Sequence, residues 1–247
     1  MRIFVDRIDG DKCVLKGDAH RHVAYALRSR VGDAAVLCPQ NGKDYFGVIE
    51  SISSDETVVK INEITDSMGE PRVKVTVMCA VPGKSDKLDL IAQKLTELGV
   101  FRIQPIMTRF VQAKPQSVRV DRLSRICEEA AKQCGRGLVP EVCAPVSFER
   151  MTAELPRFDL TVFPYEREKE YSLKSYLKNA DLNNVETVAV IIGSEGGFSE
   201  EEANILRNSG TASVTLGNRI LRTETANIAV VSALMYELGE WGDGGLE

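Results

Sequence analysis

The sequence has 247 residues, beyond the roughly 100–200 of a typical single domain, and reads best as two domains. Its 43% hydrophobic and 27% charged residues exclude wholesale disorder, and no apolar stretch approaches the roughly 18 residues of a membrane span. The net charge of -5 excludes a uniformly basic nucleic-acid binder, and the charges within Met1-Arg-Ile-Phe-Val-Asp-Arg7 do not suit a secretory signal, so a cytoplasmic, membrane-free protein is expected.

Residues 2–5, 12–15, 34–38, 45–52 and 57–64 are short, partly alternating runs that predict strands. Asn41-Gly42 is a hairpin signal, because both residues tolerate positive φ. One helix is expected over 20–28, with Val23 and Leu27 on its buried side. Together these elements predict a small β-barrel domain over residues 1–68, closed by a linker, Ser67-Met-Gly-Glu-Pro71.

From residue 72 to 242 strands alternate with helices. Val73, Val75, Val77 and Cys79 alternate as a strand does, and Leu88, Ile91, Leu95 and Leu98 recur at helical spacing before Gly99. A strand over 101–107 and a helix from Leu123 to Cys134, stopped near Gly135, follow. Next come a strand at 159–163, a short helix at 173–178 and a β-branched run at 185–192 of the kind a strand buried on both faces requires. Ser199 and Glu202 form a capping box that starts another helix, and a strand at 212–216 and a helix at 224–238 complete an α/β domain with a mainly parallel sheet. Residues 242–247 lack core-forming content, so a mobile tail, with Leu246-Glu247 as a cloning remnant, is expected there.

Charge is unevenly spread: residues 71–150 carry a net +6, against -3 before them and -8 after. Arg102, Arg109, Lys114, Arg119, Arg122, Arg125, Lys132 and Arg136 form either a phosphate-binding surface or a solvated helix face, and composition alone leans to the second. The six cysteines include no C-x-x-C pair and there are two histidines, so reduced, mostly buried thiols are expected and no metal site. His20 and His22 fall on the first domain's helix, where a surface or RNA-contacting role is expected.

The chemistry is concentrated in two loops. Ile192-Gly193-Ser194-Glu195-Gly196-Gly197-Phe198 joins a buried strand to a capped helix, and its glycines let backbone amides approach a ligand. It is neither a G-x-G-x-x-G fingerprint nor a P-loop, since the lysine and Ser/Thr are missing. Leu216-Gly-Asn-Arg-Ile-Leu-Arg-Thr-Glu-Thr-Ala226 follows the next strand and opens the last helix. Ligands of such sheets bind at the carboxyl ends of the strands, where both loops lie.

These two segments resemble the paired motifs of the ribosomal RNA small subunit methyltransferase E family, the uridine-N3 methyltransferases of the SPOUT class. Lys87-Leu-Asp-Leu-Ile-Ala-Gln-Lys-Leu-Thr-Glu-Leu-Gly99 and Gln133-Cys-Gly-Arg-Gly-Leu-Val-Pro140 are also similar to that family, so the resemblance spans essentially the whole chain. It departs at Ser194 and Asn218, where the family often has proline, and at Thr108-Arg109-Phe110, which only loosely echoes a Ser/Thr-Glu-Arg run.

The resemblance implies a PUA-like RNA-binding barrel, a trefoil-knotted SPOUT methyltransferase domain, a homodimer, and S-adenosyl-L-methionine bound among three loops. It also implies a 16S rRNA partner in the small subunit rather than DNA. Gly193, Gly196, Gly197, Leu216, Gly217, Ile220, Leu221 and Ala226 are then expected around the cofactor, with Glu195 and Arg222 alongside. Arg222 is the candidate for orienting uridine or stabilising its anion, or else a cap for loop carbonyls; Glu195 and Glu224 are candidate bases, or else partners of helix-start amides. Arg102, Arg109, Lys114 and Arg136 are the expected RNA contacts. Rival readings are a ribose 2′-O-methyltransferase of the same class, a noncatalytic RNA-binding protein and a nucleotide-dependent enzyme.

Overall fold

The computed structural model describes residues 1–241, so the expected tail at 242–247 lies outside the described residues. The chain divides into two compact units: Met1–Glu70 with Ala131–Val139, and Pro71–Ala130 with the remainder. The first unit is therefore discontinuous in sequence, which the expected boundaries at 68 and 72 did not anticipate.

In the first unit β1 (Arg2–Phe4), β2 (Lys12–Lys16), β3 (Ala34–Cys38), β4 (Lys43–Ile52) and β5 (Glu56–Asp66) form a sheet in the order β1-β3-β4-β5-β2. Alternation selects its core: Cys13 and Leu15 of β2 are buried and their neighbours exposed, and they join Ile3, Leu37, Ile49 and Val59 in one cluster. The turn between β3 and β4 is closed by Asn41 Oδ1, which accepts from the amide of Lys43 at 3.1 Å.

The helical segment starts earlier and is less regular than its apolar spacing suggests. α1 (Gly17–Arg21) runs into a π-helical turn at His22–Ala26, and Val23 is fully buried whereas Leu27 is 47% exposed. His20 is a second correction, because it is buried and its Nδ1 lies 2.9 Å from Thr57 Oγ1; His22 is exposed.

The expected linker is not a loose connection. Glu70 accepts hydrogen bonds at 2.9 Å from the amides of both Gly137 and Leu138 and pairs with Arg136 Nη2 at 2.8 Å. Arg136 is only 3% exposed, so it is a structural cation and not one of the phosphate contacts expected from its charge.

The second unit carries a parallel sheet built from β6 (Lys74–Ala80), β7 (Arg102–Met107), β8 (Glu141–Val142), β9 (Val146–Ser147), β10 (Leu160–Pro164), β11 (Thr187–Ile192) and β12 (Ala212–Val214). Its order is β12-β10-β11-β6-β7-β8, with β9 also on β7. β6 and β11 are central and buried almost throughout, as the continuous apolar run of β11 requires; β6, read from its alternation, is buried on both faces as well. The helices are α2 (Ser85–Glu97), α3 (Val120–Cys134), α4 (Phe148–Thr152), α5 (Leu173–Asn179), α6 (Glu200–Asn208) and α7 (Thr223–Glu237). α4 and the two-residue strands β8 and β9 have too few residues for a readable periodicity and were not anticipated.

Side chains fasten the amino ends of the strands. Asp159 accepts from the amides of Glu186 and Thr187 and from the Thr187 hydroxyl, which holds its carboxyl below the usual range, the hydroxyl contributing most. Glu240, just past α7, accepts from the amides of Arg72 and Val73 at 3.0 and 3.2 Å. With that end pinned, the carboxyl ends of the strands are left to the loops.

Cys13, Cys38, Cys79 and Cys127 are buried free thiols, as expected, while Cys134 is exposed and Cys143 half-buried. Burial pushes the Cys79 thiol up to about 12. Among the described residues no cluster of potential metal ligands occurs, and no helix is long and apolar enough to cross a membrane.

Candidate active site

β12, β10 and β11 are neighbours in the sheet, so the loops leaving their carboxyl ends meet. Residues 165–169, 193–198 and 215–222 enclose a cavity of about 750 Å³, completed by Thr223 and Ala226 from the first turn of α7. Gly193, Glu195, Gly196, Gly197, Leu216, Gly217, Ile220, Leu221, Arg222 and Ala226 all line it, so two loops separated in sequence are brought together.

The glycine loop is a tight turn: the amide of Gly197 donates to Ser194 O at 2.9 Å. Gly197 takes φ +67°, a conformation that side-chain-bearing residues rarely adopt, so the backbone at this turn demands glycine. α6 then starts with the expected capping box, in which Ser199 accepts from the amide of Glu202 and Glu202 Oε2 from the amide of Ser199. The other oxygen of Glu202 accepts from the amide of Arg109 at 2.8 Å, tying the loop after β7 to the same helix start.

The last helix is joined to the glycine loop as well. Thr223 Oγ1 donates to Gly193 O at 2.8 Å, and Asn227 Nδ2 donates to Thr223 O at 2.8 Å. Arg222 is the N-cap residue of α7; its side chain is exposed at the cavity and forms no ion pair with any described residue. Ile220 beside it is 87% exposed, an unusual state for a large apolar side chain.

The two candidate bases behave differently from the expectation. Glu195 lines the cavity, but its Oε1 accepts from Lys87 Nζ at 2.8 Å and its Oε2 from the amide of Gly83 at 3.2 Å. Burial alone would raise the Glu195 carboxyl, yet the Lys87 ammonium and the backbone amides outweigh it and hold the group below the usual range. The same bond to Glu195 holds Lys87 above its ordinary value. Glu224 is not part of the cavity lining: its Oε2 is buried without a hydrogen bond and sits 3.6 Å from Lys87 Nζ. One lysine thus faces two carboxylates and balances the charge of one, and Glu224, outside the cavity lining, is placed as a partner of Lys87 and away from the cavity.

Two groups escaped the sequence reading. The third loop supplies Tyr165, Glu166, Glu168 and Lys169, and the only signal for it was its position after the strand expected at 159–163. Lys87 stood inside a recognised motif, but no role followed from spacing because its partners lie 108 and 137 residues away in the chain.

The expected RNA contacts separate too. Arg102 pairs with Glu154 at 2.9 Å with only 23% of its side chain exposed, Arg109 pairs with Glu201 at the surface, and Lys114 is exposed.

Comparison with known proteins places the chain in a family. The family described as RNA methyltransferase domain matches residues 69–235, more than half of the chain, so the class of the protein is that of the RNA methyltransferases. The ribosomal RNA small subunit methyltransferase E of Bacillus subtilis is 31% identical over 230 residues, covering 90% of this chain and 89% of its own. That of Rickettsia conorii is 30% identical over 240 residues, covering 94% and 93%. The chain belongs to the ribosomal RNA small subunit methyltransferase E family. Among solved structures, a methyltransferase from Legionella pneumophila in complex with the cofactor SAM is 28% identical, with a TM-score of 0.83 over 95% of this chain and 96% of that one.

Proposed function

We propose that this chain binds S-adenosyl-L-methionine in the three-loop cavity and transfers its methyl group to N3 of a uridine in 16S rRNA of the small ribosomal subunit. The observation that carries the reading is the meeting of all ten expected cofactor residues around one cavity of about 750 Å³. That volume lies within the range of small-molecule sites, and the position is where an α/β sheet binds ligands.

The residues fit such a cofactor. The cavity offers backbone groups of the glycine loop, apolar Leu216, Ile220 and Leu221, and the carboxylates Glu166, Glu168 and Glu195, which suit a ligand that is both apolar in part and cationic at sulfur. When bound, S-adenosylmethionine supplies an electrophilic methyl group. With the cofactor bound, N3 of the uracil would give up its proton to solvent in exchange for the methyl group, so the protein's task is to orient the imide and stabilise its anion. Arg222 at the cavity mouth provides a fixed positive charge for a uracil oxygen. Glu195 accepts the N3–H hydrogen bond; as Lys87 makes it a weak base, the cation carries the larger share.

The PUA-like identity of the first unit, the trefoil knot in the second, the homodimer and the cytoplasmic location belong to the same proposal. A dimer is supported by α7, which is apolar on all sides yet leaves Ile228, Ala229 and Ala233 half-buried and Tyr236 68% exposed, a face suited to a second copy. Arg109 and Lys114 remain the candidate phosphate contacts, with Arg102 a lesser one.

The test is methyl transfer from labelled S-adenosylmethionine to small ribosomal subunits from cells lacking the enzyme, followed by nucleoside analysis. Labelled 3-methyluridine is the expected product. A 2′-O-methylated nucleoside would move the reaction to ribose, and failure to bind the cofactor would overturn the enzyme reading.

A further inference from the structure

We infer that a second, smaller cavity beside the glycine loop receives the target pyrimidine base, unstacked from single-stranded RNA and laid against the ring of Phe110. This rests on the methyltransferase reading above and adds where the acceptor sits. β11 lies between β10 and β6, so its loop has two sides. On the β10 side it borders the large cavity. On the other, Ser194, Glu195 and Gly196 form one wall of a cavity of about 430 Å³ whose remaining lining is Val81 and Gly83 after β6 and Phe110 and Gln112 after β7. A methyl acceptor must reach the cofactor, and a cavity that shares a wall with the cofactor's meets that requirement.

The side chains suit a base. Phe110 is 42% exposed although it stands at a fixed turn, where the amide of Val111 donates to Thr108 O at 3.1 Å and Glu202 holds the amide of Arg109. It is seated against the glycine loop: a Cβ on Gly196 would lie 2.8 Å from Phe110 Cβ. An aromatic ring held rigid and left uncovered is what stacking of an unpaired base uses, and every base offers a π-face. Gln112 is exposed, with an amide that both donates and accepts, matching the alternating O2, N3–H and O4 edge of uracil. Ser194, Glu195 and Gly196 are common to both cavities, so a base in the smaller one meets the wall behind which the cofactor would lie. Past Phe110, a further surface recess is lined by Arg109 and Arg167 together with Glu200 and Glu201, and Arg109 is paired with Glu201, so the recess adds no net positive charge.

The experiment compares wild type with Phe110→Ala, Phe110→Leu, Phe110→Tyr and Gln112→Ala. It measures KM and kcat on unmodified small ribosomal subunits, the dissociation constant for those subunits, and S-adenosylmethionine affinity by calorimetry. Phe110→Ala is expected to lower kcat/KM by about tenfold or more and to weaken subunit binding, with cofactor affinity and melting temperature unchanged. Tyrosine is expected to restore activity and leucine not to, because a packing role needs only bulk whereas stacking needs a ring. Gln112→Ala is expected to lower kcat/KM several-fold. Restoration by leucine as complete as by tyrosine, or wild-type kinetics in both alanine variants, would overturn the inference. Loss of cofactor binding by the wild type would instead overturn the reading of the large cavity, and subunit binding by the Phe110 variants would still judge this one.

Discussion

The two sides of the glycine loop are built differently. Toward β10 and β12 the loop meets backbone-rich segments and a large cavity closed by the first turn of α7. Toward β6 and β7 it meets an exposed phenylalanine, an amide side chain and a smaller cavity. Backbone groups and apolar walls suit a cofactor of fixed shape, whereas an exposed ring on an anchored turn suits a base that arrives from a larger molecule. The inserted position of β11 gives its loop two sides, and on the proposed reading mutations on the two sides act separately on donor and acceptor.

The largest effect that sharpens this contrast is expected from Arg222→Ala. If its cation stabilises the uracil anion, kcat falls by roughly 10²–10³-fold while calorimetric affinity for S-adenosylmethionine changes little. An equal loss of cofactor affinity would mean that Arg222 belongs to the donor side alone.

Lys87→Met comes next, because it removes the cation that pairs with Glu195 in the wall that both sides share. Glu195 has a depressed carboxyl in the folded protein, so its pairing stabilises above the ordinary carboxylate range and is lost as pH falls through the depressed value. Lys87 is raised, so its share is present below the ordinary lysine range and lost as pH rises through the raised value. Without Lys87 the Glu195 carboxyl rises, and the acid limb of the kcat/KM profile is expected to move to higher pH. An unchanged limb would show that Glu195 does not meet the acceptor.

Glu202→Ala is expected to act more weakly and on one side. It removes a capping partner and the anchor of the Arg109 amide, at a cost of about 1 kcal/mol read as a few degrees of melting temperature. With the turn bearing Phe110 loosened, KM for small subunits rises several-fold and cofactor affinity stays put. A matching loss of cofactor affinity would show that the two sides are not separable through this residue.

Much of the second unit was legible because its signals are local. Alternation marked β6, a continuous β-branched run marked β11, and Ser199 with Glu202 marked the start of α6 within three residues. The lining of the large cavity was legible because a glycine loop and a helix-opening loop each announce themselves in sequence. The lining of the smaller cavity was not, since Phe110 and Gln112 gain meaning only when β11 is placed between β6 and β10. Charge misled where pairing is long-range: Arg136 reads as a surface cation until Glu70, 66 residues earlier, is seen to bury it. His20 failed for the same reason, its partner Thr57 lying 37 residues away on β5.

The most direct test of the divided site is calorimetric titration of S-adenosylmethionine into the wild type, Ala226→Phe and Phe110→Ala. Ala226 lines the large cavity, and a ring there takes up space the cofactor needs. Binding to the wild type and Phe110→Ala with equal affinity, and its loss in a folded Ala226→Phe, is the predicted result. Equal binding to all three, or loss in Phe110→Ala alone, would contradict the assignment of donor and acceptor to the two sides of the glycine loop.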